Sequence, residues 1–243
     1  MDAPPTPATS APAPFPSTLW TEVLALQTGD PDSRRDRLQN LILRYWKPVY
    51  WAIRADGHFR EDEARDLTQE FFIRILEGKV VATVDPARGS FRQYLKGALR
   101  FLMLDEWKKG VRQRTGGGRT VLSLDFDSVG PEPEALGHDP DRALDRAWGL
   151  QILDEALKDL ETMMVKLGRT TDLQVFRAYE LCAVPARPSY SSLAAGFGVT
   201  PREIRVMLKY CRRKLRETVM EKIEPYVRNE TELTGELRDL FGE

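Results

Sequence analysis

Cysteine and histidine are almost missing from this chain: Cys182 and Cys211 are its two thiols and His58 and His138 its two imidazoles, in 243 residues. None lies at a spacing that would let them share a metal. Neither a zinc site nor a disulfide framework is expected, and the thiols are assigned no role. A surplus of charge is also lacking, since 36 basic residues face 37 acidic ones for a net charge of −1. That balance excludes a polycation that coats nucleic acid, so any attraction for phosphate must come from local patches. No apolar run is long enough to span a bilayer, and residues 1–16 hold Ala, Pro and Thr without the basic and apolar blocks of a secretory signal. An intracellular, soluble, cytoplasmic protein without a membrane partner is expected. The period-two alternation of half-buried strands is weak throughout. The expected fold is therefore all-α.

What the chain does contain is helical periodicity interrupted by one long polar stretch. Residues 1–16 cannot bury enough apolar surface to fold and are expected to stay extended. Ser17 is expected to cap a short helix ending near Gly29. A longer helix from about Asp32 carries Leu38, Leu41, Ile42, Tyr45, Val49 and Ile53 on one face, with Pro48 expected to bend it. Its aromatic residues Tyr45, Trp46, Tyr50 and Trp51 read as core. The next helix, Glu61 to Glu77, opens with Glu61, Asp62, Glu63 and Asp66, which suit the positive end of a helix dipole. Ser90 and Gln93 form a capping box for a helix running to about Lys109. Gly116 to Gly118, then the Pro- and Asp-rich stretch to His138, read as a linker. Asp139 and Pro140 start a second helical series through Leu144, Trp148, Ile152, Leu153, Leu157 and Leu160. The expected organisation is two small helical domains, 17–110 and 139–227, joined by a flexible linker over 111–138. A leader, 1–16, and a short acidic tail, 228–243, flank them.

Two segments carry recognisable chemistry. SYSSLAAGFGVTPREIRVMLKYCRRKLR at 189–216 reads as a helix-turn-helix. Ala194 lies on a short first helix, Gly198 in the turn, and Ile204, Met207, Leu208, Cys211 and Leu215 on the buried face of the second. Thr200, Pro201 and Glu203 fix the start of that second helix as a cap, a first-turn proline and a capping box. Arg202, Arg205, Lys209, Arg212, Arg213 and Arg216 lie mostly off the buried face. Guanidinium groups near the helix start suit guanine edges and later ones suit phosphate. The second segment, FRQYLKGALRFLMLDEWKKG, interleaves Phe91, Tyr94, Phe101 and Trp107 with Arg92, Lys96, Arg100, Lys108 and Lys109. Cations hold a backbone while aromatic faces stack on bases, which is what a single-strand platform requires.

Enzyme chemistry finds little support. Gly116–Gly118 lack the lysine and hydroxyl ending of a phosphate loop. Asp62, Glu63 and Asp66 have no histidine or further acidic motif beside them and read as an ordinary acidic helix start. No catalytic residue, metal or cofactor is expected.

From about Asp36 to Phe241 the chain resembles a bacterial RNA polymerase sigma factor of the extracytoplasmic-function group, especially its planctomycete-type members. DEARDLTQEFFIRIL at 62–76 resembles the region-two helix that grips the polymerase clamp. FRQYLKGALRFLMLDEWKK resembles the part of region two that opens and reads the minus-ten element. RTGGGRTVLSLD resembles the start of that subgroup's linker, and the 189–217 segment resembles region four, which binds the minus-thirty-five element. Phe101 departs from the group, standing where members commonly carry asparagine.

The resemblance implies polymerase contacts at Asp66, Gln69, Glu70 and Arg74. It implies minus-ten contacts at Arg92, Tyr94, Lys96, Arg100, Phe101, Trp107, Lys108 and Lys109. Upstream contacts are implied at Thr200, Arg202, Glu203, Arg205, Lys209, Arg212 and Arg213. Its implied partners are core RNA polymerase and promoter DNA, with an anti-sigma factor or a kinase as possible regulators and the tail after Pro225 as a candidate regulatory element. Two readings compete: a helix-turn-helix regulator that never engages polymerase, which leaves the 62–76 motif unexplained, and a metal-dependent nuclease using the acidic cluster.

Overall fold

The computed structural model describes residues 31–77, 91–110, 122, 124–129, 138–227, 231 and 233–235. The expected leader and Ser17 helix, Ser90, the Gly116–Gly118 run and residues 236–243 lie outside the described residues. The fold is all-α, without a strand among the described residues. Seven α-helices follow one another among the described residues: α1 (Pro31–Ala55), α2 (Glu61–Leu76), α3 (Phe91–Gly110), α4 (Pro140–Lys166), α5 (Thr170–Glu180), α6 (Tyr190–Phe197) and α7 (Pro201–Ile223).

The aromatic residues of α1 form the first core. Tyr45, Trp46, Tyr50 and Trp51 are all buried, as their helical spacing predicts. Tyr45 meets Phe91 of α3 edge to face at 5.5 Å, and Trp46 meets Phe126 in the same way at 5.3 Å. Such pairs add about 0.5 to 1.5 kcal/mol beyond the area they bury. Phe126 belongs to the 111–138 segment. The short 3-10 turn Phe126–Val129 packs on α1, and the Lys47 ammonium donates to the Ser128 carbonyl at 2.6 Å. Leu122, Leu124 and Phe126 alternate, so their apolar side chains all reach the core. This part of the expected linker is thus fastened to α1.

Helix α4 is the spine of the molecule. Asp139 caps it, accepting from the backbone N–H groups of Asp141 and Arg142 at 3.0 and 3.3 Å, with Pro140 in the first turn. At 27 residues it is about 40 Å long. Its first half places Ala143, Leu144, Ala147, Trp148 and Ile152 into the core of α1–α3. Its second half places Leu160 and Met164 into another core with Phe176, Leu193, Ile204, Leu208 and Cys211. Helix α7 spans both cores. Its first turns bury Ile204 and Leu208 in the second, while Val219 and Ile223 reach the first. Tyr226, just beyond α7, closes on Trp148 at 5.2 Å and on Tyr45 at 6.4 Å. The two cores therefore share two continuous helices.

Candidate nucleic-acid interface

Helix α3 turns Leu95, Leu99 and Leu102 inward and splits its remaining residues between two surfaces. Phe91 joins the buried leucines against Tyr45. Along one side Phe101, Leu104 and Trp107 stand in solvent, 71, 55 and 53 % exposed. Three large apolar side chains at three-residue steps exceed what a solvated helix face needs and suit stacking against flat partners. Lys108 is exposed beside them, and the side chain of Lys109 lies outside the described residues. Tyr94 is half-buried, its ring 6.1 Å from that of Phe91.

The other side of α3 is held by α4. Lys96 pairs with Asp145 at 2.6 Å, Arg92 with the same carboxylate at 3.3 Å, and Arg100 with Asp141. Arg92 is buried, with its guanidinium 4.7 Å above the ring of Trp148. Cation and aromatic face attract here where water is largely excluded. Of the eight residues expected to grip the minus-ten strand, Phe101, Trp107 and Lys108 thus stand free of α4, while Arg92, Lys96 and Arg100 are engaged by it. The sequence reading passed over Asp141 and Asp145. Their four-residue spacing on one α4 face was the available signal.

Helix α2 lies beside α3. Glu63 accepts from the backbone N–H of Arg60 at 2.9 Å and Glu61 pairs with Arg65 at 2.7 Å, which accounts for two of the first-turn acids as local helix contacts. Of the four residues expected to meet polymerase, Asp66 is exposed and Gln69 half-buried. Arg74 bonds Glu70 at 2.9 Å and extends toward Asp105 of α3 at 3.6 Å. Arg74, held by Glu70, therefore also ties α2 to α3, and Asp66 is the exposed member of the four.

The second basic helix is built differently. Ser189 caps α6 by accepting from the Ser192 N–H at 3.1 Å, and α6 ends at Gly198 with φ 67°. That left-handed turn favours glycine because a side chain there would be strained. Two residues later Thr200 and Glu203 form the expected capping box: the Glu203 N–H donates to the Thr200 hydroxyl at 3.2 Å and the Thr200 N–H donates to the Glu203 carboxylate at 2.7 Å. The backbone N–H and hydroxyl of Thr200 hold the Glu203 carboxyl below its ordinary value. Both residues, expected at the DNA, are thus occupied in fixing the helix start.

Arg202 and Arg205 are exposed at the front of α7, the Arg205 guanidinium lying 6.0 Å from the Tyr190 ring centre. Further along, Arg212 pairs with Glu180 at 2.5 Å and Arg213 with Glu217 at 3.8 Å. Lys209, Arg212 and Arg213 edge a trough of about 730 Å³ floored by Leu153, Leu157 and Phe176. Cys211 faces inward, and burial pushes its thiol up to about 11, which keeps it protonated and unreactive at neutral pH.

Helices α1 to α3 now have a counterpart among known families. Residues 37–113 match the family model of sigma-70 region 2. The chain carries a sigma-70 region 2 domain, and this supports a sigma factor acting in RNA polymerase binding and promoter melting. The match covers under a third of the chain and takes in α1 from residue 37, all of α2 and all of α3. No curated protein and no solved structure matches the chain. Within the matched residues, Phe101, Leu104 and Trp107 form an exposed apolar row on α3, and Asp66 is exposed on α2. No helix among the described residues is long and apolar enough to cross a membrane.

Proposed function

We propose that this chain is a sigma factor of the extracytoplasmic-function group, of planctomycete type, that directs core RNA polymerase to promoters in the cytoplasm. Region 2 contacts polymerase through Asp66, with Gln69, Glu70 and Arg74 beside it, and holds melted minus-ten DNA against α3. Helices α6 and α7 form a helix-turn-helix region four whose exposed Arg202 and Arg205 read the minus-thirty-five element in the major groove. The observation that carries this reading is the region 2 match ending on a helix with three large apolar side chains in solvent. The order of parts supports it, because a capped basic helix follows on the same α4 spine.

The protein performs no covalent chemistry in this reading. Extruding bases from a duplex costs a few kcal/mol, which stacking of about 1 to 3 kcal/mol per base can offset. A nearly neutral chain neutralises few phosphates, so polymerase supplies the remaining affinity. Reconstituted transcription tests the proposal: the chain is added to sigma-free core polymerase and start sites are mapped on genomic DNA. Initiation at defined positions is expected. A chain that binds promoter fragments without associating with core polymerase would instead be an independent regulator.

A further inference from the structure

Helix α3 carries Arg92, Lys96 and Arg100 at four-residue steps, a single stripe along the helix. Against this stripe α4 sets Asp141 and Asp145, also four residues apart and so about 6 Å apart along their own axis. Asp145 takes Lys96 and Arg92, and Asp141 accepts from both Nε and a terminal nitrogen of Arg100. A regularly spaced pair of anions held by a row of cations is the same contact that successive phosphates of a nucleic-acid strand make with a basic helix.

We infer that the first two turns of α4 are a built-in substitute for the DNA backbone: in the free chain Asp141 and Asp145 occupy Lys96 and Arg100, and a promoter strand must displace them. The inference rests on the proposed function, since it presumes that α3 receives DNA. The gradient of exposure along the stripe shows where displacement begins. The Arg92 side chain is 8 % exposed and Lys96 18 %, whereas Arg100 is 63 % exposed. Arg92, stacked on Trp148, anchors the α3–α4 contact, while the Arg100 end is open to a competing phosphate. Phe101, Leu104 and Trp107 begin one residue beyond Arg100 and carry no such cover. The free chain thus offers faces for bases while its backbone grip is closed, and a strand held at the aromatic edge is placed to compete for Arg100 first.

The test compares the full chain, D141N/D145N and D154N/D159N. The second variant removes the same charge from α4 at Asp154 and Asp159, which pair with Lys158 and Lys222 away from α3. Binding of a short fluorescein-labelled single-stranded oligodeoxynucleotide of mixed sequence is followed by anisotropy across a salt series, with circular dichroism confirming that each variant is folded. D141N/D145N is expected to bind about three- to ten-fold tighter than D154N/D159N, with a steeper salt dependence from the freed cations. Equal affinity in the two variants, or a loss of thermal stability in D141N/D145N with no gain in binding, would overturn the inference. Association with core polymerase is measured in parallel. A gain in oligonucleotide binding by a chain that never joins polymerase keeps the α4 substitute and removes the sigma factor reading.

Discussion

Helices α3 and α7 look alike as strings of letters, each carrying arginines and lysines at three- and four-residue steps, yet they spend their charge in opposite ways. On α3, Arg92, Lys96 and Arg100 are taken up by two carboxylates of another helix, and Phe101, Leu104 and Trp107 stand in solvent with Lys108 beside them. On α7 the leading cations Arg202 and Arg205 stay exposed, and the capping box orients the helix that bears them. One helix presents aromatic faces with its cations engaged; the other presents cations on a fixed start. A basic stripe in a sequence counts charge, and only the fold says how much of it is available.

The largest effect should come from removing a cation that the fold uses. Arg92→Ala leaves Asp145 with Lys96 as its partner and uncovers the face of Trp148, and losing the charged contact together with the cation–aromatic one costs about 3 kcal/mol. In a chain of this size that lowers the melting temperature by roughly 6 to 12 °C. Arg205→Ala should do the reverse. Its stability change stays within about 0.5 kcal/mol, while use of a cognate promoter falls about ten-fold, in the range of one lost base contact, with polymerase association intact. Thermal melts and run-off transcription on both variants would break the contrast if the two results were exchanged.

Reversing Asp66 to Lys sharpens the comparison from a third surface. Asp66 is exposed on α2, so folding should be unaffected. Association with core polymerase should weaken by about ten-fold, since a reversed charge meets a surface complementary to the original one. Undiminished capture of polymerase would remove Asp66 from the interface. The parallel change at Arg74 would disturb folding as well, because that guanidinium bridges Glu70 and Asp105.

Which parts of this were legible in the sequence follows the range of the interactions. Local devices were readable: the Asp139 and Thr200 caps, the Gly198 turn and the buried faces of α1 and α7 all depend on neighbours within four residues. The core role of Tyr45, Trp46, Tyr50 and Trp51 was readable because helical period and apolar character agree there. Phe101 and Trp107 carry the same aromatic signal as Phe91, yet one is core and two are surface. Period alone does not say which side a neighbouring helix will cover. Asp145 and Lys96 lie 49 residues apart, and nothing local announces their meeting. Phe126 was concealed by the Asp, Pro and Gly around it, although the alternation from Leu122 was a sign that the segment could be held down.

The smallest effects concern the cap that distinguishes α7 from α3. Thr200→Ala removes the hydroxyl that accepts from the Glu203 N–H, at a cost of about 1 kcal/mol near neutral pH. Glu203 acts through its charge, so its effect depends on pH. Its carboxyl is held below the ordinary value by the Thr200 N–H and hydroxyl, so the folded chain binds that proton less readily than the unfolded one. The stabilisation is complete above the unfolded pKa and is lost as pH falls through the folded one. Glu203→Gln keeps an oxygen to accept from Thr200 but has no proton to gain. Melting temperatures of wild type and E203Q should therefore differ near neutral pH and converge as acid protonates Glu203. A constant gap across that range would mean that the carboxylate charge contributes nothing to the start of α7.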